Sequence, residues 1–226
     1  MSNASRSDII TTLRNLQDNP DIQKGDNLLL FYAGHGSHCV SGSTKVNAIC
    51  PINRGINARD ITMPELESIF SELQSAKGNS ITAIFDCCHS GDTSGSRRSG
   101  EGPDEVRYLP PLLLEGVDKT LTSMDQSRRS CNPSEDNLGS QNVVWLAACR
   151  WQENAKERWM TVEGGTVRQS HGLFMAALVM TLESENGKTA TYEKVIEIMG
   201  HLRTSQTPEA VGSGTKSQLW YRDAPW

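Results

Sequence analysis

Apolar residues fall along this chain in two rhythms. Ile9, Leu13 and Leu16 recur at helical spacing, and Ser5 with Asp8 three positions on forms a capping-box pattern, so a helix is predicted that ends near Asn19-Pro20. A second helix is predicted to start at Thr62-Met63-Pro64-Glu65, with Thr62 as cap, Pro64 in the first turn and an apolar face of Leu66, Ile69, Phe70 and Leu73. His171 to Leu182 and Tyr192 to Leu202 read as two further amphipathic helices. Between them lie short unbroken apolar runs, Leu28 to Tyr32, Ile81 to Phe85 and Val143 to Ala148, each the mark of a strand buried on both faces. Ile49 to Ile52 and Gln218 to Tyr221 are weaker strand signals. Short apolar strands alternating with helices predict an α/β fold, a mostly parallel sheet with helices on both faces.

Composition narrows the function. A chain of 226 residues suits one globular domain, here 5–222. Its net charge of -5 leaves no basic surplus to neutralise phosphates, so nucleic acid is not an expected partner. No apolar run reaches the ~20 residues that span a bilayer, and the polar start of the chain lacks a secretory apolar core. The expected partner list therefore excludes membrane, and the expected location is the cytoplasm. In that reducing setting the six cysteines are read as free thiols rather than a disulfide framework. The stretch 92–140, rich in Ser, Gly, Arg and Pro, is read as a flexible loop, with Leu109 to Leu114 as a segment that docks on the body.

Two loops carry reactive side chains, and each follows a buried strand. Ala33-Gly34-His35-Gly36-Ser37-His38 leaves the first, and Asp86-Cys87-Cys88-His89-Ser90-Gly91 leaves the second. Loops leaving the C-terminal ends of parallel strands line one sheet edge, where sites are usually built. A cysteine is a strong nucleophile as thiolate, and a neighbouring imidazole both takes its proton and stabilises the charge. Cys88 is thus the candidate nucleophile and His35 its base. The glycines around His35 permit a backbone path that leaves an amide free. The N–H groups of Gly36 and Cys88 are the candidate oxyanion hole, with ~3 kcal/mol typical per donor. Taken singly, a histidine between glycines is a turn residue and a strand-end cysteine is packing. On equivalent strand ends they point to catalysis. Zinc is the rival chemistry for His35, His38, Cys39, Cys88 and His89, but adjacent ligands cannot grip one ion and the chain has no Cys-x-x-Cys pair.

These segments resemble a known family. Phe31-Tyr32-Ala33-Gly34-His35-Gly36-Ser37 resembles the catalytic-histidine motif of metacaspases, and Asp86-Cys87-Cys88-His89-Ser90-Gly91 their catalytic-cysteine motif. The histidine precedes the cysteine by about 50 residues, as in caspases. Val144 to Cys149 with Gln152, Ala155 and Glu157 resembles the family's third strand and loop, and Gly172-Leu173-Phe174 its following helix. The likeness runs from about Ser5 to Leu219 and is nearest to fungal caspase-like domains. It implies a three-layer caspase-haemoglobinase-like fold and a thiol protease that cleaves protein or peptide substrates after Arg or Lys. By the same resemblance Asp86 lies in the S1 pocket facing that basic side chain, although a cap on the helix after Cys88 is the other reading of this residue. Proteolysis linked to apoptosis or protein turnover is the implied setting.

The likeness has gaps. The family places a strand and an acidic loop ahead of the first helix seen here, and that loop forms a second acidic wall of S1. The sequence opens at the helix, which implies an incomplete pocket and makes a non-catalytic, caspase-like interaction domain the alternative. Many metacaspases use calcium bound between the two motifs. From Ser41 to Asp60 this chain has Asp60 as its acid, too few carboxylates for a hard cation, so no cofactor is expected and calcium is doubtful. Arg97, Arg98, Arg107, Lys119, Arg128 and Arg129 lie within 92–140, and this basic loop is either a solvated linker or a self-processing region.

Overall fold

A computed structural model describes residues 3–41, 44–78, 80–88, 105–112, 143–150, 153–161, 168–200, 202 and 206–219. The first helix, α1 (Arg6–Asp18), begins with the expected capping box: the Ser5 side chain accepts from the Asp8 N–H, and the Asp8 carboxylate accepts from the Ser5 N–H. Three strands, β1 (Leu28–Ala33), β5 (Ile81–Asp86) and β7 (Val143–Ala147), form a parallel sheet in the order β1-β5-β7. A short strand, β10 (Glu209–Val211), closes the β7 side antiparallel. Two small antiparallel sheets stand beside this one. One contains β2 (Gly36–Ser41), β3 (Thr44–Ile49) and β4 (Ile61–Thr62). The other contains β6 (Glu105–Val106), β8 (Lys156–Thr161) and β9 (Arg168–Gly172).

Alternation along β5 and β7 divides the interior into two apolar clusters, one per face. Ile81, Ala83, Phe85, Val143 and Trp145 pack with α1 and with α2 (Met63–Lys77). Ile84, Val144 and Leu146 pack with α3 (Leu173–Glu183) and, past the short α4 (Glu185–Lys188), with α5 (Tyr192–Met199). The result is helix, sheet, helix: the three-layer α/β arrangement expected. On the first face Trp145 lies 5.0 Å from Phe70 and 5.4 Å from Phe85, ring centre to ring centre. These distances suit tilted and offset aromatic packing.

Several sequence expectations change. β1 is not covered on both faces: among the described residues it is an edge strand, and Leu29 and Phe31 are exposed while Leu28, Leu30 and Tyr32 rest on the first cluster. The predicted loop after Ala33 continues from Gly36 as β2, stabilised by a hairpin with β3 rather than by an apolar rhythm of its own. The start of the predicted helix at His171 belongs to β9, because 168–172 pairs with β8. The last strand among the described residues is Glu209–Val211; of the segment predicted from Gln218 to Tyr221, Gln218 makes an isolated bridge to Thr191 and 220–221 lie outside the described residues. Thr62 precedes α2 but makes no side-chain cap bond. No helix among the described residues is long and apolar enough to cross a membrane.

Trp145→Ala should remove one of the contacts between α2 and the sheet and lower unfolding free energy by about 3–5 kcal/mol. Urea denaturation followed by circular dichroism measures this. A loss below about 1 kcal/mol would mean that the first cluster does not depend on that ring.

Candidate active site

Parallel pairing sets the site. β1 and β5 run in register from Leu28↔Ile81 to Ala33↔Asp86, so both strands finish together, and His35 and Cys88 follow at matching positions past the paired ends. Just beyond, the Gly34 N–H donates to the Asp86 carbonyl at 3.4 Å. Gly36 lies directly against the Cys88 carbonyl, where a Cβ would overlap the oxygen, so this approach of the two loops requires glycine. The His35 carbonyl accepts from the Tyr32 hydroxyl at 2.8 Å and from the Cys50 N–H at 3.0 Å, which anchors the histidine loop at its back. His35 is exposed; Cys88 is fully buried. The Cys88 thiol donates to the Ala155 carbonyl at 3.4 Å, and no hydrogen bond joins it to His35 in this arrangement. Burial pushes the Cys88 thiol up to about 12, against the opposing pull of its Ala155 contact and of Arg107.

Next to the thiol is an acid pocket. Asp86 is 1% exposed, and Gly172 sits so close to its carboxylate that a Cβ there would overlap it. Burial raises the Asp86 carboxyl to about 6, with the positive charge of Arg107 working against that rise and Glu157 adding to it. The Arg107 guanidinium fills the pocket. Its Nη1 is 3.1 Å from Asp86 Oδ2 and donates to the Asp86 carbonyl at 2.9 Å. Its Nη2 is 3.1 Å from Glu157 Oε2, and its Nε donates to the same oxygen at 3.2 Å. A buried cation is tolerated because two carboxylates and a carbonyl replace its water. The helix-cap reading of Asp86 concerns residues outside those described.

Arg107 brings its backbone with it. Glu105 and Val106 pair antiparallel with Glu157 and Lys156, and the Arg107 N–H donates to the Ala155 carbonyl at 3.0 Å. The Arg107 carbonyl oxygen then accepts from two amides at once, Gly36 at 2.9 Å and Cys88 at 3.3 Å. The two N–H groups expected to be free thus converge on a single carbonyl. Past this point the Leu109 N–H donates to the Gly36 carbonyl at 2.9 Å, and Arg54 Nη2 donates to the Pro110 carbonyl at 3.0 Å. Residues 105–110 are therefore tied in turn to β8, to the two loops and to Arg54. The stretch 92–140 was expected to be loop, and most of it lies outside the described residues, but this portion is firmly held.

The remaining candidates lie around this centre. Cys87 is fully buried with its thiol pushed well above the ordinary range by desolvation. Cys39 and Cys50 are half-buried, and burial raises both thiols, Cys50 to about 12. His38 is buried and stacks on Tyr108, with ring centres 6.2 Å apart. Asp60 is held by Arg54 through two contacts of 2.7 Å. His89 and Ser90 fall outside the described residues. Sequence reasoning missed the pairing of Arg107 with Glu157. Its faint signal is a basic residue inside the apolar patch Val106 to Leu109, within an otherwise polar stretch.

Metacaspase-9 of Arabidopsis thaliana is 30% identical over 122 residues, covering 52% of this chain and 36% of that protein. The matched segment thus spans about a third of that relative. The crystal structure of protein GSU0716 from Geobacter sulfurreducens superposes with a TM-score of 0.59 at 15% identity, covering 92% of this chain and 74% of the other, a likeness of fold. The caspase domain model matches residues 1–218. Nearly the whole chain thus answers to one family description, and it belongs to the caspase domain family of cysteine peptidases.

Proposed function

We propose that this chain is a cysteine endopeptidase that cleaves after Arg or Lys, with Cys88 as nucleophile and His35 as general base and then acid. The observation that supports it best is the convergence of the Gly36 and Cys88 N–H groups on one carbonyl, beside an acid pocket that holds the same residue's guanidinium. A peptide bound this way lies on β8, presents its carbonyl carbon beside the sulfur and stabilises a developing oxyanion through two amides. A turn of the Cys88 side chain exchanges the Ala155 carbonyl for the His35 ring, which takes the thiol proton. The sulfur attacks the carbonyl carbon, His35 returns the proton to the leaving amine, and water then hydrolyses the thioester.

Specificity follows from charge. Asp86 offers its carboxylate to a cation, and Glu157 supplies a second acidic wall beside it. Two carboxylates around one planar fork favour guanidinium over ammonium. Calcium plays no part in this reading, which is supported by the commitment of Asp60 to Arg54.

Turnover of paired Arg and Asp reporter peptides tests the reading. Arg peptides should be cut with or without calcium, and Cys88→Ala or His35→Ala should lower kcat/KM by about 10³-fold or more. Turnover that survives both substitutions would defeat it. A correctly folded chain with no turnover of any reporter would favour the interaction-domain alternative.

Asp86 predicts an acid limb. Its folded pKa is raised to about 6, so the carboxyl gains its proton as pH falls through that value and the pocket loses the charge that holds a cation. For Arg peptides kcat/KM should fall below about pH 6, mainly through KM. In Asp86→Asn that limb should vanish, with kcat/KM lower at pH 7 by ~10–100-fold. An unchanged limb would assign it to another group.

Glu157→Gln should narrow the preference for Arg over Lys peptides by about 3–10-fold while leaving the Asp86 limb in place. An unchanged ratio would remove Glu157 from substrate selection.

A further inference from the structure

The hairpin of β2 and β3 begins at Gly36, against the Cys88 carbonyl, and it buries polar side chains where a core would place apolar ones. Ser37, His38 and Asn47 are all buried there, with Asp60 close by in sequence to β4 and buried as well. Residues 108–110 lie along this hairpin. Tyr108 makes a parallel bridge with Gly36, and the Leu109 N–H donates to the Gly36 carbonyl at 2.9 Å. The Tyr108 ring stacks on His38 with the planes 17° apart, and its hydroxyl is 3.5 Å from His38 Nδ1. Asn47, directly across the hairpin from His38, keeps its side-chain oxygen buried without a hydrogen-bond partner among the described residues. That oxygen is an acceptor ready for a hydroxyl. Arg54 follows further along. Its Nε and Nη2 are each 2.7 Å from the Asp60 carboxylate, and Nη2 also donates to the Pro110 carbonyl at 3.0 Å. A guanidinium pinned by a buried carboxylate is set in advance to meet a main-chain carbonyl.

We propose that this hairpin, together with Arg54, binds the leaving half of a substrate: His38 and Asn47 receive a tyrosine side chain directly after the cleaved bond, and Arg54 holds the main-chain carbonyl of the third residue beyond it. The inference rests on the Cys88 and His35 reading above and deepens it by naming a substrate class. That class is peptides in which a basic residue is followed by tyrosine and then by at least two more residues in extended form. Residues 107–110 serve as the template for the binding mode. With a basic side chain in the acid pocket and its carbonyl on the Gly36 and Cys88 amides, the next residue falls on His38 and the third on Arg54. The two kinds of contact do different work. Bonds from Gly36 and Arg54 to main chain hold a peptide of any sequence, while the face of His38 and Asn47 discriminates between side chains. Both lie on the hairpin that starts beside the nucleophile, so register along the peptide is set from the cleaved bond outward.

Internally quenched peptides test this, all with the same arginine-ended half and differing after it: Tyr-Ala-Ala, Ala-Ala-Ala, Tyr-Ala closed as an amide, and a dye amide with no leaving residues. They are read on the full chain and on Arg107→Ala, which vacates the acid pocket, and the further substitutions are made in whichever of the two turns over faster. Tyrosine should exceed alanine after the cleaved bond by about 3–10-fold in kcat/KM, and the third residue should add about 10-fold, mainly through KM. His38→Ala should bring the first ratio down to about 1, and His38→Phe, which keeps an aromatic face, should retain most of it. Arg54→Lys, which keeps a cation on Asp60, should remove most of the gain from the third residue and leave the tyrosine ratio in place. Each ratio is taken within one protein, so a loss of folded enzyme cancels out of it. Cleavage of the dye amide with either ratio at about 1, or a ratio that survives its own substitution, would overturn the proposal and leave the peptidase reading standing. No turnover of any arginine substrate by either protein would overturn both.

Discussion

The site depends on two parallel strands ending in register. Because Ala33 lies opposite Asp86, the histidine loop and the cysteine loop leave the sheet at the same level, and Gly36 meets the Cys88 carbonyl without a side chain between them. Register in a sheet is specified by the apolar faces it buries, since a slip of one residue would reverse every side chain. Ile81, Ala83 and Phe85 on one face and Ile84 on the other therefore hold more than a core together. They fix where Cys88 and His35 emerge.

Electrostatics set the character of the acid pocket. An uncompensated carboxylate as buried as Asp86 is costly, and its raised pKa reflects that cost. A cation in the pocket repays it. Arg107 does so here, shared between Asp86 and Glu157 at 3.1 Å each. Burial pushes the Cys88 thiol up to about 12, with Arg107 pulling the other way.

Much of this was legible in the sequence, for identifiable reasons. Unbroken apolar runs announced β5 and β7 because their side chains are buried on both faces, and Ser5 with Asp8 announced α1 because the capping box is a local hydrogen-bond pattern. The two loops were legible because glycine, histidine and cysteine have few reasons to gather at strand ends. Elements that exist through pairing were hidden. β2 buries Ser37 and His38 because Arg54 and Tyr108 receive them, not because its sequence alternates. β9 takes residues that read as a helix start because β8 lies alongside. Arg107 was one basic residue among several in a polar stretch, and only its distant partners, Asp86 and Glu157, single it out. The exposed face of β1 was misread for the opposite reason: an apolar run records composition, not what covers it.

The most direct measurement of the central claim is covalent labelling with a peptide that carries arginine ahead of an electrophilic ketone, applied to the Arg107→Ala protein and mapped by mass spectrometry. A single thioether on Cys88, slowed by His35→Ala and not formed with an aspartate-bearing reagent, is the expected result. Labelling that spreads over the more accessible Cys39 and Cys50, or that ignores the charge of the reagent, would contradict it.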